Sequence, residues 1–168
     1  RRIHKKLATK ILLKKNRMSS TKKIAVIGGG SWATALVKIV CNHVDQIHWW
    51  MRNNESIEHI KKYKHNPNYL TSVEFDTNKL LLSSDIKKTI ASADILIMAV
   101  PSAFLKDALE EVTSDDFKNK QIFSAIKGIV PENNLIVGEF FNTVYNIPIE
   151  NIGVITGPCH AEEAAMEK

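Results

Sequence analysis

The chain has 168 residues, 44% of them hydrophobic and 24% charged, which is enough apolar material for one buried core and excludes a disordered chain. No apolar run approaches the ~20 residues a membrane-spanning helix needs, and the two cysteines, Cys41 and Cys159, exclude a disulfide scaffold and a four-cysteine zinc site and suit a reducing, cytoplasmic compartment. The net charge of +5 is unevenly placed: eight of the 23 basic residues lie in 1–17 with no acid, leaving 15 against 18 acids, so the body of the chain makes no electrostatic case for nucleic-acid binding.

Residues 1–17 carry Ile3, Leu7 and Ile11 at four-residue intervals among the basic side chains. That pattern suits a basic amphipathic helix, a membrane-surface patch, a targeting peptide or upstream sequence outside the fold. On the last reading, which we favour, residues 1–20 are an arm, Met18 is the natural start, and the domain occupies 21–168.

The run 22–27 is β-rich and is broken at once by Gly28, Gly29 and Gly30. A helix is predicted over 31–42, with Trp32, Ala35, Leu36, Ile39 and Val40 at helical spacing, and a strand over 46–51. A polar helix follows at 53–64. Residues 65–82 read as irregular, with a short strand at 72–75. A helix is predicted over 84–91 with Ser83 or Ser84 as cap. The almost wholly apolar 94–100 reads as a strand buried on both faces, and Pro101 ends it. Further expectations are a helix over 102–112, a strand over 121–126, a helix over 134–145 and a strand over 151–156. Strands alternating with helices predict an α/β fold of Rossmann type, a doubly wound, mostly parallel sheet.

In such sheets ligands bind beyond the carboxyl ends of the strands, which singles out 28–33, Arg52, 101–104, 127–128 and 157–161. Gly28, Gly30 and Ala33 form a Gly-x-Gly-x-x-Ala pattern between a predicted strand and a predicted helix, the context that gives the pattern meaning. Gly28 permits the turn, Gly30 lets backbone approach a pyrophosphate, and the small Ala33 lets the helix pack closely on the strand. The helix N-terminus offers free N–H groups to phosphate. No Gly-Lys-Ser/Thr follows, so this is no P-loop.

About twenty residues on, where an NAD site usually carries an acid, stand Trp50 and then Arg52, whose guanidinium suits the 2′-phosphate of NADP; Glu55 lies within reach of a ribose. Trp32, Trp49 and Trp50 fall near this site, and Trp49 and Trp50 read as one core and one surface residue of a strand. Lys127 ends a buried-looking strand, where an ammonium pairs with phosphate or orients a carbonyl. Gly157 and Pro158 turn a strand into a helix beside Cys159 and His160. A Cys–His nucleophile pair is disfavoured there, because adjacent residues rarely reach the required orientation. Cys41 reads as core. The six histidines show no ligand spacing, so no metal is expected.

The runs KKIAVIGGGSWATAL, NPNYL, AVPSAF, SAIKGIVPE and GPCHAEE follow one another at spacings that resemble the amino-terminal half of the soluble bacterial NAD(P)-dependent glycerol-3-phosphate dehydrogenases, from about Lys22 to Lys168. The resemblance implies an NAD(P) coenzyme and interconversion of dihydroxyacetone phosphate with sn-glycerol 3-phosphate, a phospholipid precursor. It implies that Ser31 and Trp32 lie against the coenzyme pyrophosphate, Arg52 at the adenosine ribose, and Phe104 and Ala161 along the coenzyme. It implies Lys127 at coenzyme and substrate, and Gly157 and Cys159 at the substrate. The family more often has Gly where Ala33 stands and Ser or Thr where Cys159 stands. Its general acid/base is a Lys of a helical carboxyl-terminal domain, expected beyond Lys168, so these 168 residues are expected to bind coenzyme without turnover. The resemblance further implies a homodimer as the full-length protein, no nucleic-acid partner and no membrane insertion. Alternatives are another two-domain dehydrogenase, of 3-hydroxyacyl-CoA or 6-phosphogluconate type, a non-catalytic coenzyme-binding regulator, and a chain tethered to nucleic acid or membrane by its arm.

Overall fold

The computed structural model describes residues 22–156 and 160–165. The arm, its proposed start at Met18, and Gly157, Pro158 and Cys159 therefore lie outside the described residues. Six strands form one sheet: β1 (Ile24–Ile27), β2 (Ile47–Trp50), β3 (Leu80–Ser83), β4 (Ile95–Met98), β5 (Gln121–Ser124) and, after a hairpin of β6 (Ile129–Val130) and β7 (Leu135–Ile136), β8 (Ile152–Val154). The sheet order is β3-β2-β1-β4-β5-β8, and every neighbouring pair is parallel. This is the Rossmann-type doubly wound sheet that the alternation of elements predicts, with its order reversing between β1 and β4.

Helices cover both faces, so successive residues of a strand enter different cores. Ala25 and Ile27 of β1, with Leu96 and Met98 of β4, meet α3 (Ile86–Ala91), α4 (Leu105–Ala108) and α5 (Val137–Tyr145). Val26 and Ile97 face the opposite way, toward α1 (Ser31–Cys41), α2 (Asn54–Tyr63) and α6 (Ala161–Ala165). Central strands buried on both faces need continuous apolar runs, which is what 94–100 supplies. Cys41 is a core residue, as expected. Trp49 and Trp50 depart from the expectation of one core and one surface residue: they are 0% and 6% exposed, because a two-faced sheet has no solvent side at β2.

The hydrogen-bond ladder runs one residue past the strands. Gly28 N donates to Trp50 O, Ala99 N to Ile27 O, Ala125 N to Met98 O and Ile155 N to Ser124 O. The chain therefore leaves all these strands at a common edge.

Four predicted elements differ. No strand forms at 72–75; Val73 and Phe75 are buried, with their N–H groups donating to Leu70 O and Lys64 O and not to a strand, Phe75 lies against the Trp49 ring at 5.4 Å, and the edge strand is β3 instead. Helix α3 starts later than 84, because Asp85 is its cap and accepts from Lys88 N at 2.9 Å. The helix expected over 102–112 is a 3₁₀ turn (Ser102–Phe104), the four-residue α4 and further turns, although Leu105, Leu109 and Val112 keep a helical spacing toward the core. The helix expected from 134 begins at Val137, because Asn134 takes a left-handed conformation (φ 52°) that closes the β6–β7 hairpin.

Candidate functional site

At the shared edge, the turn from β1 into α1 divides two clefts. Gly28 has φ +139°, and a Cβ there would stand 2.6 Å from Ala99 O, so only glycine lets β1 and β4 remain adjacent as the chain turns. A Cβ on Gly30 would meet nothing within 4 Å. The space above that residue is open, as backbone approach to a ligand requires. Ala33 is fully buried on the inner face of α1 and lines neither cleft. It acts on packing, the role its small size predicts.

Gly30 is the N-cap of α1, no side chain caps that helix, and its first turn has no acidic residue. The first N–H groups of an eleven-residue helix are thus left to whatever occupies the edge, with the positive end of the helix dipole behind them. From beneath, the fully buried Trp49 donates its indole N–H to Gly28 O at 2.7 Å.

The first cleft, of about 310 Å³, is lined by Gly28, Gly29 and Gly30 on one wall, by Trp50 at the end of β2 with Arg52 and Asn53 beyond it, by Asn68 and Tyr69, and by Pro101 and Phe104 beyond β4. The second, of about 460 Å³, is lined by Ser31 and Trp32, by Lys127 beyond β5, and by His160, Ala161 and Glu162. The clefts share Val100 and Pro101. An elongated ligand filling both would cross the N-terminus of α1 at its middle.

The structure thus brings together the described candidates other than Ala33 and Glu55: Gly28, Gly30, Arg52 and Phe104 in the first cleft, Ser31, Trp32, Lys127 and Ala161 in the second. Glu55 sits in the first turn of α2 and is not on the wall of the first cleft. Arg52 and Lys127 are exposed, and among the described residues the ion pairs join Lys61 to Glu58, Lys87 to Asp116, Lys106 to Glu132 and Lys118 to Asp115. Both site cations are therefore open to an anion. Sequence reasoning missed Asn53, Asn68 and Tyr69 as lining residues. The only signal for the last two was the NPNYL run, which periodicity places nowhere in particular.

The chain matches the family described as the N-terminus of NAD-dependent glycerol-3-phosphate dehydrogenase over residues 23–168. Among curated proteins it is similar to the glycerol-3-phosphate dehydrogenase (NAD(P)+) of Oceanobacillus iheyensis, 31% identical over 144 residues that cover 86% of this chain and 41% of the relative. It is likewise similar to that of Teredinibacter turnerae, 30% identical over 87% of this chain and 42% of the relative. Among solved structures, the glycerol-3-phosphate dehydrogenase of Plasmodium falciparum superposes with a TM-score of 0.76 at 27% identity, covering 92% of this chain and 46% of that one. The enzyme of Coxiella burnetii, at 23% identity and a TM-score of 0.75, shares the fold. The chain spans less than half the length of the relatives it matches.

Proposed function

The chain belongs to the NAD-dependent glycerol-3-phosphate dehydrogenase family, matching its amino-terminal part, and from that premise we propose that residues 21–168 are an NAD(P)(H)-binding domain that presents coenzyme for reduction of dihydroxyacetone phosphate or oxidation of sn-glycerol 3-phosphate. The observation that carries the proposal is the pair of clefts meeting over the uncapped N-terminus of α1, with an open approach at Gly30. A dinucleotide has that form: two bulky ends joined by a pyrophosphate.

In this reading the adenosine end occupies the first cleft, between the Gly28–Gly30 wall and Phe104, with Arg52 at the ribose. Arg52 stands where an acid would favour NAD, and its guanidinium pairs with a 2′-phosphate. The N–H groups of Ser31 and Trp32 take the pyrophosphate. The nicotinamide end occupies the second cleft beside Ala161 and Lys127. A nicotinamide held there would supply or accept the hydride. The Lys127 ammonium holds the anionic substrate and orients its carbonyl. The family resemblance assigns Gly157 and Cys159, which lie outside the described residues, to the substrate. The proton donor is the Lys that the family resemblance assigns to a carboxyl-terminal domain. The reaction belongs to the cytoplasm, and the complete enzyme is a homodimer.

Titration with NADPH and NADH, followed by quenching of Trp fluorescence, tests the proposal, since Trp32 and Trp50 line the clefts. Saturable quenching is expected. Arg52→Gln should weaken NADPH about tenfold, corresponding to about 1.4 kcal/mol, and leave NADH nearly unchanged. No saturable quenching of the folded chain by either coenzyme would overturn the binding site. An unchanged NADPH/NADH ratio in R52Q would remove Arg52 from the 2′-phosphate.

A further inference from the structure

Three consecutive carbonyls of the β1–α1 turn are each held by a side chain. Gly28 O accepts from Trp49 Nε1 at 2.7 Å, Gly29 O from Asn66 Nδ2 at 3.2 Å, and Gly30 O from Thr34 Oγ1 at 2.8 Å. A trans peptide is planar, and its N–H points opposite its C=O. Holding these three oxygens therefore sets where the N–H groups of Gly29, Gly30 and Ser31 point.

Asn66 is the unexpected member. It lies in the loop between α2 and β3, outside the glycine pattern, and is 1% exposed. One Nδ2 hydrogen goes to Gly29 O. The other goes to Thr34 Oγ1 at 2.9 Å, and the Thr34 hydroxyl passes its own hydrogen to Gly30 O. Its Oδ1 accepts from Asn68 N at 3.0 Å and Tyr69 N at 3.3 Å. All four bonds of the amide are thereby used. The network also fixes its orientation, because exchanging N and O would set N–H against the two backbone N–H groups. Asn68 and Tyr69 line the first cleft. One buried amide thus ties a wall of that cleft to the peptides of the turn.

We propose that Asn66 is a positioning residue for the coenzyme pyrophosphate. Its Nδ2 group orients the Gly29–Gly30 peptide directly and the Gly30–Ser31 peptide through Thr34, while its Oδ1 holds the Asn68–Tyr69 wall. The proposal rests on the coenzyme reading above. No other side-chain type of this size donates twice and accepts twice, so an Asp keeps the acceptor half and loses the donors. An Asp placed here is buried with its second oxygen against Gly29 O, which raises its pKa against the two N–H bonds its first oxygen accepts, and its protonation restores one O–H donor there.

The test uses ADP-ribose, which carries the pyrophosphate without the acid-labile nicotinamide, with calorimetric titration of the wild-type chain, N66D and N66A at pH 7.5 and pH 5. Melting curves establish that each variant is folded. The wild type is expected to bind nearly equally at both pH values. N66D should bind at least tenfold more weakly at pH 7.5 and come within about threefold of wild type at pH 5. N66A should be at least tenfold weaker at both. A purely structural role makes the recovery of N66D binding on acidification follow the recovery of its melting temperature; that result, or no recovery at pH 5, would overturn the proposal. So would binding within twofold of wild type by N66D at pH 7.5 or by N66A. If N66A does not fold, the pH profile of N66D alone decides. Absence of binding by the wild type would sink the coenzyme reading and this proposal together, whereas a binding wild type with unaffected variants would sink this proposal alone.

Discussion

Gly28 and Gly30 stand two residues apart and answer to different constraints. A side chain on Gly28 meets the Ala99 carbonyl carbon and oxygen at 2.8 and 2.6 Å, in a conformation that L residues rarely adopt. Gly28→Ala should therefore cost the fold more than about 3 kcal/mol, the sum of backbone strain and a clash with main chain that cannot rotate away. Gly30→Ala meets open space, so its melting temperature should stay within a few degrees of wild type while coenzyme affinity falls at least tenfold. Thermal unfolding and coenzyme titration of the two variants separate these outcomes. A Gly30→Ala chain that binds coenzyme normally would show that no ligand backbone passes there. At this scale the placement of the glycine pattern, Arg52 and Lys127 at the sheet edge was legible, because each follows a strand. Trp49 and Asn66 were not. Their bonds to Gly28 and Gly29 span 21 and 37 residues of sequence, and neither has a local pattern of its own.

At the scale of elements, the interior strands and the long helices were legible because burial on two faces or on one stripe leaves a strong period. The misplaced boundaries fall where a single polar side chain decides the outcome. Asp85 displaces Ser83 and Ser84 as the cap of α3, and Asn134 closes a hairpin where a helix was expected. The 3₁₀ turn at Ser114–Phe117 shows how such a side chain carries a pH dependence. Asp116 accepts from Thr113 N at 2.8 Å, and mainly for that reason its carboxyl titrates below the ordinary value of 3.8. A carboxyl with a depressed folded pKa stabilises the fold above its unfolded pKa, and that contribution disappears as pH falls through the folded value. Asp116→Asn should thus be less stable than wild type at pH 6 by about 0.5–1.5 kcal/mol, with the difference closing below about pH 4. Denaturant unfolding of both chains across that range measures it, and a constant difference would exclude titration of Asp116 as the cause.

For the whole molecule, the two cores on opposite faces of one sheet make unfolding the route to any central side chain. Cys41 is 6% exposed, and burial pushes its thiol up to about 11 despite the opposing charges of Lys79 and Lys38. Little thiolate exists at pH 8, so in a Cys159→Ser chain alkylation of Cys41 should await global opening. Coenzyme at 100 times its dissociation constant should then slow labelling about 100-fold, equivalent to about 2.7 kcal/mol, since only the native state binds. Rapid labelling of the folded chain would show that α1 opens locally from the sheet.

The sequence by itself determined the fold class, the glycine turn, the cations beside it and the family, because each rests on residues close together or on a period repeated along the chain. Tertiary structure alone decided that both tryptophans of β2 are buried, that Leu80–Ser83 pairs at the sheet edge, and that Asn66 grips the turn. Those outcomes depend on which faces are covered and which distant backbone groups need a partner. A buried carbonyl must find a donor wherever the folded chain brings one near.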